Sequence, residues 1–201
     1  GTLGLLTEVS LKVLPVAPAE ATLRFECNQA DALRKLHTWG GQPLPLNASC
    51  WVEDAGVGQL YVRLRGAVAA VDAACKSMGG TRLDNATAAP DWQACREQTL
   101  PWFAARLARP GQALWRLSLP ATAPVLALPG GVSPLVEWHG ALRWVQAPLA
   151  HGDVLREAAR AVGGSASLFI ADGAVGERAG GQLDLKSAAL EQIHARLKHS
   201  F

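Results

Sequence analysis

Hydrophobic positions in the first part of the chain predict strands and helices in the order βαββαβ. Apolar and polar residues alternate over 21–27, and apolar residues recur at helical spacing over 68–78. The predicted elements are a strand over 21–27, a helix from Asn28 to the Gly40-Gly41 pair, strands over 50–53 and 60–65, a helix over 68–78 and a strand over 81–84. This order is that of the split βαβ unit of a ferredoxin-like sandwich.

A similar series of elements follows, although no residue-level repeat links it to the first series. Its predicted elements are a helix that Asp91 caps and that is bent or broken near Pro101, a strand around Trp115, a short helical or irregular piece over 124–128, a hairpin of 135–139 and 142–145, a helix over 154–162, a strand over 168–170 and a last helix after Ser187. We therefore expect an α+β fold. We expect this fold to contain two ferredoxin-like βαββαβ units, over 21–85 and 111–171, with helices on one face of an antiparallel sheet.

The first twenty residues have a different pattern. Val9, Leu11 and Val13 alternate with polar residues, which predicts a half-buried strand. Two prolines then fall within 15–18, and proline stiffens the backbone and extends the residue before it. The pattern predicts that 1–15 end one domain, that 16–20 form a linker, and that 21–201 form a second domain with a C-terminal helix.

Composition indicates a globular chain with a substantial core. Hydrophobic residues make up 49% of the 201 residues and charged residues 18%, which excludes a chain held open by self-repulsion. The formal net charge of +2 is too small for a general nucleic-acid-binding surface. The uncharged stretch 117–136 contains four prolines, which exclude a continuous membrane-spanning helix. The four cysteines form no C-x-x-C pair, and we expect reduced thiols.

Signatures of catalytic and metal sites are missing from the sequence. It contains no G-x-S-x-G, no phosphate-binding loop and no H-E-x-x-H, and its five histidines lack zinc-ligand spacing. We therefore expect no metal site and assign no catalytic residue from motifs.

One local cluster, over 137–144, is unusual in combining aromatic and charged residues. Alternation places Trp138, Leu142 and Trp144 toward the core or a groove, and leaves Glu137, His139 and Arg143 available to partners. Arg143 can grip a carboxylate with two hydrogen bonds, and the two tryptophans can wall a small pocket. The alternative is a well-packed hairpin with a surface ion pair between Arg143 and Glu137.

The opening residues carry a resemblance to a known family. Residues 1–15 read G-T-L-G-L-L-T-E-V-S-L-K-V-L-P. This run resembles the end of the FAD-binding domain of vanillyl-alcohol-oxidase type flavoproteins, where it leads into the substrate, or cap, domain. The resemblance implies that Gly4, Leu5, Leu6 and Thr7 contact FAD, since glycine lets the backbone approach the cofactor closely. It also identifies 1–15 as the end of a truncated FAD-binding domain and 21–201 as the cap domain.

Later motifs are similar to those of the FAD-binding subunits of bacterial glycolate oxidases. The matching segments are 96–103, 115–118, 137–144 and 184–186 with the last helix. The resemblance implies FAD-dependent oxidation of a small 2-hydroxy acid, glycolate, to glyoxylate. The implied partners are a sister flavin subunit and an iron–sulfur subunit that passes the electrons onward. It implies a cytoplasmic location, or peripheral attachment to the inner membrane through those partners.

The resemblance also sets what this chain is expected to lack. The family's pyrophosphate-binding region lies upstream of Gly1, and its D-P-x-x-[IL]-F-N-P-G run lies beyond Phe201. We therefore expect the isolated chain to hold no FAD and to be inactive. Related dehydrogenases carry H-x-G-D-G-N-L-H where this chain has 139–144, so metal-assisted hydrogen abstraction is not expected. Arg143, His139 and Trp144 remain candidates for contacts with the substrate or with a partner subunit. The alternative function is a non-catalytic ferredoxin-like interaction module.

Overall fold

The computed structural model describes residues 7–13, 15–171 and 188–200. Its elements are β1 (Ala19–Glu26), α1 (Gln29–Gly40), β2 (Leu46–Asp54), β3 (Val57–Gly66), α2 (Val68–Met78), β4 (Thr81–Leu83), α3 (Asn85–Glu97), α4 (Pro101–Ala104), β5 (Ala113–Ser118), β6 (Leu135–Glu137), β7 (Leu142–Ala147), α5 (Gly152–Ala161), β8 (Ser165–Ile170) and α6 (Ala188–His199). Short 3₁₀ turns cover Ala105–Ala108, Pro129–Gly131, Trp138–Gly140 and Leu149–His151. The predicted α+β class is confirmed.

All eight strands form one antiparallel sheet in the order β4-β1-β3-β2-β6-β7-β5-β8. The first four strands therefore form one half of the sheet and the last four form the other half. The two halves meet where β2 pairs with β6, with Cys50 opposite Glu137 and Trp51 opposite Val136. The joint is only two residue pairs long, so side chains on either face at this point are shared between the halves.

One face of the sheet is covered by α1 and α2 in the first half and by α5 in the second. The predicted cap of α1 is confirmed, since the Asn28 side chain accepts a hydrogen bond from the Asp31 amide at 2.9 Å. Leu36 of this helix is buried together with Leu23 and Val62 of the sheet. Burial of such side chains drives the association of helix and sheet, at roughly 25 cal/mol per Å² of apolar surface.

The opposite face is covered by α3, and here the prediction of helices on one face only is wrong. The buried indole of Trp92 donates a hydrogen bond to the Thr22 hydroxyl at 2.9 Å. The predicted cap at Asp91 is also wrong. Asp84 caps the helix by accepting from the Thr87 amide at 3.0 Å, so the helix begins earlier and includes Pro90. The helix lies on this face because Ala88 and Trp92 cover apolar side chains that the sheet presents there.

At the edges of the domain, one expectation is corrected and the predicted C-terminal helix is confirmed as α6. The alternating residues of 7–13 form no strand, and Val9, Leu11 and Val13 are all more than half exposed. A strand needs a neighbour for its backbone hydrogen bonds, and this segment has none in the sheet order. In α6 the apolar residues Leu190 and Ile193 are also exposed. Its predicted cap, Ser187, lies outside the described residues.

The connection from β5 to β6 is irregular, so of the two forms predicted for 124–128, a short helix or an irregular piece, the structure has the irregular one. Residues 119–134 contain no regular helix apart from the turn at Pro129–Gly131. The second half therefore lacks a counterpart of α1. Among the described helices, none combines the length and the apolar character that a membrane span requires.

Candidate functional site

The residues predicted to contact a cofactor lie at the start of the chain. Gly4, Leu5 and Leu6 are outside the described residues. Thr7 is exposed, and so are the residues that follow it to Val13.

The turn between β6 and β7 has strained backbone geometry. Trp138 and His139 have positive φ angles of 51° and 54°, which non-glycine residues rarely adopt, and Gly140 has a φ of 97°. Two hydrogen bonds hold the turn. The His139 amide donates to the Ser49 hydroxyl at 2.8 Å, and the Ala141 amide donates to the Trp138 carbonyl at 3.0 Å. Strain of this kind persists only where surrounding contacts enforce it, and it clusters at functional sites.

Trp138 is 69% exposed at this turn. Of the two predicted placements, core or groove, the structure gives the groove, because the indole lines a cavity on the α3 face of the sheet. The indole reaches the groove from a turn rather than from a strand, because the backbone leaves the strand conformation after Glu137.

Glu137 and Trp144 interact directly across the hairpin. The indole Nε1 of Trp144 donates to one carboxylate oxygen of Glu137 at 2.5 Å, and the thiol of Cys95 donates to the other at 2.8 Å. A hydrogen bond with Cys50, burial and the Glu137 carboxylate all raise the pKa of Cys95. Its sulfur therefore stays a protonated thiol, which is a poor nucleophile and a poor metal ligand.

Arg143 lies on the other face of the sheet and is buried, with 1% of its surface exposed. It faces Val136 across the ladder, whereas Glu137 faces Leu142. The expected exposure of Arg143 and its alternative ion pair with Glu137 are therefore both wrong. Successive residues of a strand point to opposite faces, and this places the two side chains apart. Burial also lowers the pKa of Arg143 to about 10.

A cavity of about 570 Å³ lies on the α3 face at the joint of the two halves. The side chains that matter for its chemistry are those of Arg63, Trp92, Arg96, Glu137, Trp138 and His139. They come from β3, α3, β6 and the turn that follows β6, elements that are distant along the chain. We call this space the joint cavity. It brings the predicted candidate His139 together with two arginines that the sequence analysis did not single out.

Arg63 supplies a half-buried cation to the joint cavity. Its Nε donates to the Asn47 side-chain oxygen at 2.8 Å, and its guanidinium lies 5.5 Å from the centre of the Trp92 ring. Burial lowers the pKa of Arg63, the charge of Glu20 opposes this effect, and the charges of Arg65 and Arg96 lower the pKa further. In the sequence, Arg63 alternates with apolar residues as a solvent-facing arginine of an ordinary amphipathic strand does. The pattern therefore does not distinguish a cavity-lining arginine from a solvent-facing one.

His139 contributes a neutral imidazole to the same wall. Burial lowers the pKa of its ring, so the uncharged form prevails near pH 7. Its Nδ1 is buried and has no hydrogen-bond partner among the described residues. Within those residues, no group of three or more His, Cys, Asp or Glu side chains is arranged to hold a metal ion.

Comparisons with known proteins identify a relative along nearly the whole chain. Over 198 residues, the chain is 39% identical to the glycolate oxidase subunit GlcE of Escherichia coli strain K12. The match covers 98% of this chain and 50% of the relative, so the chain spans half the length of that protein. No family model matches the chain, and no solved structure matches it. The similarity confirms the resemblance to glycolate oxidase subunits that the sequence motifs indicated.

Proposed function

We propose that this chain, a relative of the glycolate oxidase subunit GlcE, is the C-terminal, cap-domain part of an FAD-binding glycolate oxidase subunit. The whole subunit would take part in the oxidation of glycolate to glyoxylate. The observation that carries this proposal is the 39% identity over 198 residues, because it extends along nearly all of the chain rather than over one motif.

The residues of the opening segment suit one edge of FAD. Gly4, Leu5, Leu6 and Thr7 would hold the cofactor, and the exposure of Thr7 is consistent with such a contact. When bound, FAD supplies the redox chemistry by accepting the electrons of the substrate. An exposed edge is not a pocket, so the remaining contacts must come from the half of the relative that this chain does not span.

The cap part of the subunit contributes binding and positioning. His139 presents a neutral ring to the joint cavity, where it can exchange hydrogen bonds with a small acid. Trp144 holds the Glu137 carboxylate in place through its indole. Arg143 would act through the fold, because its guanidinium is buried against backbone carbonyls on the opposite face.

The proposed partners are a sister flavin subunit and an iron–sulfur subunit, which would take the electrons onward. The proposed location is cytoplasmic, or peripheral to the inner membrane through the partner subunits. The word subunit in the name of the relative supports a multisubunit assembly.

We also propose that the two halves of the sheet are two copies of a ferredoxin-like unit. Support comes from the strand order, which reads β4-β1-β3-β2 from one edge and β8-β5-β7-β6 from the other. In each half, the strand that is first along the chain lies between the third and the fourth strands of that half. The irregular segment 119–134 would replace the first helix of the second copy.

The test uses the full-length subunit, which includes the upstream half, purified alone and with its partner subunits. We expect visible flavin absorbance in the subunit and glycolate-dependent reduction of an artificial electron acceptor by the complex. A flavin-free subunit, or a flavin-containing complex that does not respond to glycolate, would contradict the proposal. The interaction-module alternative predicts partner binding without flavin.

A further inference from the structure

We propose that the joint cavity is a binding site for a small organic carboxylate, anchored by the guanidinium of Arg63 and assisted by Arg96. The choice of glycolate as the carboxylate rests on the proposed function. The site itself rests on the geometry and charge of residues that no comparison assigns to binding.

The first observation is that Arg63 forms no direct ion pair within the described part of the chain, although the charge of Glu20 is near enough to raise its pKa. Its polar contact there is the neutral side-chain oxygen of Asn47 at 2.8 Å, and its planar face rests on Trp92. Arg65, two residues along the same strand and so on the same face, pairs with Glu20 at 2.9 Å. One of two neighbouring arginines is therefore neutralised and the other faces a cavity.

The second observation concerns the acidic side chains near the cavity. Glu20 is the ion-pair partner of Arg65, and both oxygens of Glu137 accept hydrogen bonds, from Cys95 and Trp144. Glu20 is therefore shared between two arginines and sits in a direct ion pair with Arg65 only. A half-buried guanidinium that has no direct ion pair gains charge-assisted hydrogen bonds from an anion that enters the cavity.

The third observation is the second cation. Arg96 lines the same cavity, and its charge is close enough to lower the pKa of Arg63. Its ion pair with Glu97, at 2.9 Å, is exposed and worth little, so the guanidinium can turn toward a ligand at small cost. Two guanidinium groups that repel each other across a cavity are drawn together by an anion between them.

The mouth of the cavity suits a planar carboxylate. Trp138 is held there with a positive φ, and Trp92 forms the floor beneath Arg63. A volume of about 570 Å³ exceeds what a two-carbon acid fills, so binding depends on charge and hydrogen bonds at one wall rather than on a close fit.

The experiment titrates the 201-residue chain with glycolate at constant ionic strength and follows binding by calorimetry. We expect saturable binding of glycolate and at least tenfold weaker binding of glycolamide, its uncharged analogue. Charge-assisted hydrogen bonds support losses on the order of tenfold or more when one is removed. We expect Arg63→Gln to weaken glycolate binding about tenfold, and Arg63→Lys to weaken it less, because lysine keeps the charge but loses the fork.

Arg82→Gln is the matched control, because Arg82 is an exposed arginine of the same sheet that faces Asp72 rather than the cavity. It should bind glycolate like the unmodified chain.

Circular dichroism checks that every variant is folded, and Arg96→Gln, at an exposed position, provides a second test that does not disturb packing. Any of three results would overturn the proposed site. These are equal glycolate affinities of Arg63→Gln and the unmodified chain, equal binding of glycolamide and glycolate, and no saturable binding of glycolate. Preference for an acidic peptide over glycolate would overturn it too.

This outcome is separate from that of the proposed function, since the titration needs neither flavin nor partner subunits. An active full-length complex, together with a chain that binds no small carboxylate, would overturn the site alone. A flavin-free, inactive subunit whose chain binds glycolate through Arg63 would overturn the proposed function alone.

Discussion

The Nη2 atom of Arg143 donates a hydrogen bond to the carbonyl oxygen of Ala123 at 2.7 Å. Its Nη1 donates to the next carbonyl, that of Pro124, at 2.6 Å. These two bonds fasten the irregular segment 119–134 to β7, where no helix or strand is available to do so. Arg143 is thus a buried link between an ordered strand and a segment without regular hydrogen bonding.

We expect Arg143→Ala to lower the free energy of unfolding by roughly 3 kcal/mol, because two buried carbonyl groups lose their donors and a cavity opens. Arg143→Lys should cost less, since an ammonium keeps the charge but cannot reach both carbonyls in the same fork. Urea unfolding measures both. Arg116→Ala, at an exposed position of β5, serves as the control and should change stability by at most about 0.5 kcal/mol. Unchanged stability of Arg143→Ala would show that the link is dispensable.

Gly140→Ala should destabilise the fold more than Gly130→Ala. Both glycines have positive φ angles, 97° and 68°, so each substitution strains the backbone by roughly 1 kcal/mol. Only at Gly140 would the new Cβ meet neighbours, Leu33 Cδ2 at 3.0 Å and the Ala121 carbonyl at 3.1 Å. Crowding of this kind adds about 1–2 kcal/mol. Thermal or urea unfolding of the two variants side by side measures the difference. Equal losses of stability in the two variants would mean that the neighbours of Gly140 move aside without a cost in free energy.

Acidification should destabilise the chain through His139. Burial lowers the pKa of its ring below the ordinary value of about 6.5, so the unfolded chain binds the proton more readily than the folded chain. The contribution of the neutral ring is therefore present above about pH 6.5 and is lost as the pH falls through the lowered pKa.

We expect His139→Gln to reduce the difference in unfolding free energy between pH 7.5 and a more acidic pH. His37→Gln, which changes an exposed histidine near the end of α1, provides the comparison. The same pH dependence in His139→Gln as in the unmodified chain would argue against this role of the imidazole.

The purified 201-residue chain should be colourless and bind FAD negligibly. It holds only the segment from Gly4 to Thr7 of the proposed flavin site, and one edge cannot offset the entropy of fixing a large cofactor. Visible absorbance spectra after incubation with FAD test this, and stoichiometric flavin in the fragment would refute it. We expect elemental analysis to find no tightly bound zinc or iron, because the sequence has no ligand set with metal-binding spacing.

Local elements were predictable from local pattern. Periodicity and turn residues within one segment were enough to predict several elements. These are the cap at Asn28, the helices around Leu36 and Val71, and the hairpin before and after Gly140. The predicted start of α3 at Asp91 was wrong, because the structure keeps Pro90 inside the helix although proline removes a backbone hydrogen-bond donor there. Alternation did not decide between the core and a groove for Trp138, because alternation stops where the backbone enters the left-handed region.

The sequence by itself determined the α+β class and most of the elements, since these depend on residue order and local periodicity. The resemblance of its motifs indicated the relationship to glycolate oxidase subunits. Only the tertiary structure decided that α3 covers the second face of the sheet, that Arg143 is buried against Ala123, and that Arg63 faces a cavity beside Arg96. The physical reason is that burial and charge pairing depend on strands and helices far apart in the chain. The short joint between β2 and β6 brings those elements together, and no local pattern encodes it.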